Sequence, residues 1–180
     1  FRRCYIGLAG FSLSRKAKTS QRRKKYLSVG KKILKGFTTE MKRGSLNAYP
    51  IVAMLEAEES PLKEKYDNAI KVCARLGMVH HEAYMCERAA EFFGEGGDEG
   101  WNEFYLVEAF LLYKEWGALG KANRLKEDHS IILSGSSIRG TASKTIQGRS
   151  RYSMKELESL RTIDWETFST TSTDESQSSL

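Results

Sequence analysis

The side chains with the widest chemical reach in this chain are two adjacent histidines, His80 and His81, with Cys86 close by. Next come the carboxylates Glu56, Glu58 and Glu59, and the glycine-rich run GEGGDEG at 94–100. Each could belong to a known kind of chemistry: a metal site, an acid/base pair, a phosphate cradle. None has the spacing that chemistry requires. Neighbouring residues on a helix do not face one point, so His80 and His81 cannot serve one ion, and no second ligand pair has fitting spacing. The three glutamates read as a solvated cluster, since nothing around them signals a cleft. The glycines have no strand before them and no Lys-Ser/Thr after them, and GxxxxGK[ST] occurs nowhere, so 94–100 reads as a turn. Cys4, Cys73 and Cys86 are odd in number and unpatterned, and are expected to be buried thiols. No catalytic residue, cofactor-binding residue or metal ligand is therefore assigned, no cofactor is expected, and the segment is read as non-enzymatic.

Charge is the next signal. Residues 1–39 carry twelve of the chain's 29 Lys and Arg and none of its 23 acids, an imbalance that the overall +6 hides. Such a segment could meet nucleic acid, an anionic membrane or an acidic surface elsewhere. The possible anion-contacting residues are Arg22, Arg23, Lys24, Lys25, Lys31 and Lys32. No aromatic residue interleaves with the basic cluster 15–25, as base stacking would want. The favoured reading is thus a bundle helix whose Lys and Arg stems cover its flanks. Nucleic acid is not the expected partner. Nucleic-acid or anionic-lipid binding through 15–35 is the alternative.

The elements that position these residues are helical. Only Pro50 and Pro61 interrupt the chain, each where a helix could start, and Ala, Leu, Glu and Lys abound. Residues 1–13 read as the end of a helix whose Gly7, Ala9 and Gly10 admit a close neighbour. Next comes a basic helix over 15–41, with Tyr26, Val29, Ile33, Leu34 and Phe37 on one face. It closes at Lys42-Arg43-Gly44. A hairpin over 47–76 follows: Asn47 caps its first helix, and Ser60-Pro61 start its second as N-cap and N1. Leu62, Tyr66, Ala69, Ile70, Cys73 and Leu76 form the inner face of that second helix. Another hairpin over 80–116 places Phe104, Tyr105, Ala109, Leu112, Tyr113 and Trp116 inward, and a short helix over 119–129 ends the domain, 1–129. Residues 130–180 change to Ser and Thr without period and are expected to form a low-complexity, mostly disordered tail. Within it lie a capping-box pattern at Ser153–Glu156 and a basophilic phosphorylation pattern at Arg149–Ser153. No apolar run approaches the ~18–20 residues that span a bilayer.

Cys86, Ala89, Ala90, Phe93, Gly97 and Ala109 fall on tetratricopeptide spacing, where small residues let antiparallel helices approach and an aromatic fills the gap. Ala69 and Ala109 are further apart than one strict repeat, so the repeats are irregular. The fold class expected is all-α: a right-handed stack of antiparallel helical hairpins. The segments Asn47–Glu58, Tyr66–Phe93 and Tyr105–His129 resemble the tetratricopeptide-like helical-repeat region of multidomain signalling ATPases. In that family an AAA- or STAND-type ATPase module precedes the repeats. It is often joined to a serine/threonine kinase-like domain and to GAF and sensor histidine kinase or cyclase modules. The signatures carrying the resemblance are Glu82-Ala83, Ala89-Ala90-x-Phe92-Phe93 and Tyr113-x-x-Trp116-Gly117-Ala118-x-x-Lys121.

The resemblance implies a scaffold in signal transduction and transfers no catalytic residue. The structural repeat signature is Ala83, Ala89, Ala90, Phe93, Ala109, Tyr113, Trp116, Gly117 and Lys121, with Trp116 wedged against the preceding hairpin. A concave face would present Tyr66, Arg75, His80, Tyr84, Arg88 and Tyr105. The expected partner is a protein or a neighbouring domain of the same chain, in the cytoplasm. The first residue, Phe1, is read as the start of a piece of a longer protein.

Overall fold

The structure, a computed structural model, describes residues 2–133. Among these it is all-helical: α1 (Arg2–Lys16), α2 (Ser20–Lys42), α3 (Ala48–Glu59), α4 (Lys63–Arg75), α5 (Val79–Glu95), α6 (Glu99–Glu115) and α7 (Leu119–Asp128). None of these helices is long and apolar enough to cross a membrane.

The helix ends follow from local chemistry. Thr19 caps α2, its hydroxyl accepting from the Arg22 amide at 3.4 Å, and Asp98 caps α6 by accepting from the Trp101 amide at 3.2 Å. Four helices stop in the same way. Gly44, Gly77, Gly97 and Gly117 have φ of 88°, 66°, 77° and 83°. In each case the next amide reaches back into the last turn, as Met78 does to the Cys73 carbonyl at 2.9 Å and Ala118 to Tyr113 at 2.9 Å. Only glycine adopts this left-handed backbone without strain. Gly77, Gly97 and Gly117 recur at equal intervals, so three successive reversals share one geometry.

Several boundaries differ from the sequence expectation. The basic helix begins at Ser20, because Thr19 is the residue that caps it, and Arg15 and Lys16 lie on α1 instead. Ser60 ends α3 rather than starting α4: its amide still bonds the Glu56 carbonyl at 3.2 Å, and α4 first closes on Leu62. Leu62 and Leu76 flank α4 and are exposed, as is Phe104 on α6, instead of facing inward. Asn47 precedes α3 without a side-chain cap bond. Leu133, assigned to the tail, is buried against the core. The remaining tail features, from 134 onward, lie outside the described residues.

Each helix packs on the next, and α1 also packs on α3. The close approach of α1 to α2 rests on small residues. A methyl group on Gly10 would sit 3.0 Å from the Tyr26 carbonyl oxygen, and one on Gly30 would sit 2.7 Å from the Phe11 ring. The core runs continuously from Cys4, Leu8 and Phe11 on α1 to Ala122 and Leu125 on α7.

Candidate functional site

Polar chemistry in this fold converges where α1, α3, α4 and α5 meet. Glu58, in the last turn of α3, is completely buried, although its sequence neighbours Glu56 and Glu59 are exposed. The expectation of a solvated acidic cluster is thus corrected at Glu58. Helix periodicity turns this one carboxylate inward, and cations from two other helices receive it. Arg88 Nε donates to Glu58 Oε1 at 2.8 Å, and Arg88 Nη2 donates to Oε2 at 3.3 Å. Arg15 donates to both the carboxylate and the backbone carbonyl of Glu58. The Tyr66 hydroxyl donates to Oε1 at 3.3 Å.

The cluster extends outward. Arg88 also holds Glu91 and donates to the Ser12 hydroxyl at 3.1 Å, and Lys16 pairs with Glu91 and, at 3.1 Å, with Glu95. Three cations face three carboxylates. The paired positions rise together along α1 and α5, from Tyr5 with His81 and Tyr84, through Ser12 with Arg88, to Lys16 with Glu91 and Glu95. The two helices therefore run parallel, with Glu58 of α3 between their side chains.

Electrostatics follow this geometry. Burial alone would lower the Arg88 pKa, but the hydrogen bond and charge of Glu58, with Glu91 beside it, raise it further above its ordinary value. Burial would raise Glu91, yet the Lys16 bond and the Arg88 charge hold it below the usual carboxylate range. Tyr66 is held protonated well above its usual range, first by burial and then by the Glu58 charge.

Two further ties repeat the pattern of tyrosine, carboxylate and cation. Tyr105 donates to Asp67 at 2.6 Å while Lys63 bonds the other Asp67 oxygen at 2.7 Å, linking α6 to α4. Tyr113 donates to Glu87 at 2.7 Å while Lys121 bonds its second oxygen at 2.7 Å, linking α6 and α7 to α5. Burial first, then the adjacent carboxylate, pushes both phenols up. A phenol kept protonated and donating to a paired carboxylate positions helices; it has no proton to trade near neutral pH. These are joints.

The residues singled out in the sequence separate into groups. Ala83, Ala89, Ala90 and Ala109 are buried at helix contacts, and Phe93 stacks on Tyr105 with centroids 5.6 Å apart. Tyr113 and Lys121 meet on Glu87, and Gly117 forms the turn between them. Trp116 is not wedged between hairpins. Trp116 is 55% exposed and lies on His80 at 5.2 Å, because it is the C-cap residue just past α6, where the chain already leaves the core. Tyr66 and Tyr105, expected on a concave surface, are buried, and Arg88 is engaged in the cluster. Tyr84 is half-buried against Tyr5, burial pushing its phenol up to about 12.

The His80 and His81 rings meet edge to face with centroids 4.0 Å apart; His80 also lies on Trp116, and His81, fully buried, stacks on Tyr5. Burial, then the charge of His80, lowers His81 to about 4. All three cysteines are buried, and burial pushes the thiols of Cys4 and Cys73 up to about 12, far from the range of a reactive thiolate. Arg22, Arg23, Lys24, Lys25, Lys31 and Lys32 are all exposed along α2.

Sequence reasoning missed Glu58 and Arg15. The available signal was that Glu58 shares a face of α3 with Leu55, Met54 and Ile51, all buried. Compared with known proteins, the chain matches no family model, no curated protein and no solved structure.

Proposed function

We propose that this chain is a non-catalytic helical-repeat scaffold: a right-handed, tetratricopeptide-like stack of hairpins that holds a protein partner or a neighbouring domain. The resemblance of its Ala-Ala-x-Phe-Phe and Trp-Gly-Ala-x-x-Lys signatures extends the reading to a cytoplasmic signal-transduction protein with an ATPase or kinase elsewhere in it. Support comes from the shared glycine reversals and from the three tyrosine–carboxylate–cation joints. Both stiffen the relative placement of helices and neither forms a reactive centre.

The observation that carries the reading is an aromatic ladder with a free end. Phe92, Phe93, Tyr105, Trp101 and Phe104 contact one another with centroids between 5.1 and 6.3 Å apart. The ladder starts in the core and finishes at Trp101 and Phe104, which are 38% and 41% exposed. Lys63 lies over Trp101 at 4.0 Å. Aromatic side chains fixed by a packed core and open on one edge are the usual anchors of protein interfaces, because ordering them on binding costs little. A photo-crosslinking amino acid placed at Phe104 in cells should give a discrete protein adduct that the same group at exposed Asn68 does not. No adduct above that control, or nucleotide hydrolysis by the purified chain, would overturn the proposal.

A further inference from the structure

Among the described residues, the cations in ion pairs come from α1, α4, α5 and α7, and none comes from α2. Arg3, Arg15, Lys16, Lys63, Arg88, Lys121 and Arg124 each pair with a carboxylate. Among the described residues, Arg22, Lys24, Lys25, Lys31, Lys32 and Lys35 make no ion pair, and all are exposed. Unneutralised like charges on one helix repel one another, so the row costs stability unless an anion completes it.

The row is ordered. Lys24, Lys31, Lys35 and Lys42 fall at i, i+7, i+11 and i+18, on one line along the helix, with Lys25 and Lys32 on its flank. At 1.5 Å per residue that line is about 27 Å long. Lys24, Leu27, Ser28, Lys31, Lys32 and Lys35 line a shallow open depression. The structure assigns this face as a binding surface for the phosphate backbone of duplex nucleic acid, read without regard to sequence.

Three observations favour that occupant. First, most apolar residues of α2 are already used: Leu27, Ile33, Leu34, Phe37 and Met41 pack on the core, and Val29 alone is left exposed. A helix that lies in a membrane interface needs a free apolar face, and α2 has none left. Second, the face is built mostly of lysine with no exposed aromatic anchor, and lysine is depleted in protein–protein interfaces. Third, the row spreads its cations along one straight line rather than in a single cluster, and Ser28 adds a hydroxyl of the kind that bonds phosphate oxygens. The missing aromatics argue against stacking on unpaired bases, which is a different mode from contact with a duplex backbone.

The test is fluorescence anisotropy of a labelled random-sequence 24-base-pair duplex with the full chain. Four to six phosphate contacts predict affinity falling on the order of 10²–10³-fold between 50 and 200 mM salt. Reversing three charges together, Lys24→Glu, Lys31→Glu and Lys35→Glu, should weaken binding at least ~30-fold and flatten the log–log salt slope by roughly three. The same change in net charge elsewhere, Lys71→Glu, Lys114→Glu and Lys126→Glu, should leave binding within a few-fold. Circular dichroism would show that both variants keep their helices. No duplex binding at 50 mM salt overturns the assignment. So does equal loss in both triple variants, or tighter association with phosphatidylserine vesicles than with duplex.

Discussion

Glu58→Gln is the most informative single change in this molecule. It keeps the shape of the side chain and removes only its charge. Glu58 is 0% exposed, Arg88 retains 12% exposure and Arg15 retains 30%. Breaking a buried ion pair by removing one partner costs about 3–5 kcal/mol, because the other charge is left without compensation. Here Glu91 still faces Arg88 and Arg15 is partly solvated, so the lower end applies, about 3 kcal/mol. For a domain of this size that corresponds to roughly 10 °C in Tm. Urea unfolding followed by circular dichroism reads it directly, provided the m-value is unchanged. Arg88→Gln alone should cost a similar amount, and the double variant should cost at least about 1 kcal/mol less than the sum of the two. Raising salt should change the loss little, since the pair is buried. A Glu58→Gln variant within about 0.5 kcal/mol of the parent, or a cycle that adds without coupling, would refute the account of Glu58 as the charge on which three helices close.

Other predictions follow from single observations. Trp116→Ala should cost about 1–2 kcal/mol in urea unfolding, not the ~3–5 of a buried ring, because what it loses is a half-exposed stack on His80. Gly10→Val should be far more harmful than Ala9→Val on the exposed side of α1. The added carbons would meet the backbone of Tyr26 and Gly30, which cannot yield as a side chain can, and about 3 kcal/mol or more is expected. The pH dependence has a definite sign. His81 is lowered from 6.5 to about 4, so the unfolded chain binds the extra proton; stability is full above pH 6.5 and falls as pH drops toward 4, by up to about 3 kcal/mol. Glu91, held below its ordinary 4.5, extends the loss to lower pH. In His81→Phe the decline between pH 6.5 and 4.5 should shrink to the part left by His80, which burial also lowers, as equilibrium unfolding at stepped pH would show.

Period and punctuation were legible from the amino-acid sequence alone. A helix advances one face every 3.6 residues whatever surrounds it, so Ala83, Cys86, Ala89 and Ala90 announced an inner face of α5 before any partner was known. Glycine alone tolerates the left-handed turn that ends a helix, so Gly44, Gly77 and Gly117 marked where the chain stops and reverses. These are local rules acting over a few residues, and local sequence determines them. Tertiary structure decided what lies far apart along the chain. Arg15 and Glu58 are separated by 43 residues, and Arg88 and Glu58 by 30, so no spacing rule connects them. Whether Glu58 is a solvated acid or the centre of a buried cluster depends on which helices arrive beside α3, and that depends on packing summed over the whole core. Trp116 shows the converse. Its size and position on the stripe pointed inward, yet it caps the C-terminus of α6, where the chain turns away and leaves it 55% exposed. The basic character of α2 belongs to its residues, but packing decided where the acids stand: Glu58, Glu91 and Glu95 face Arg15, Lys16 and Arg88 rather than the lysines of α2.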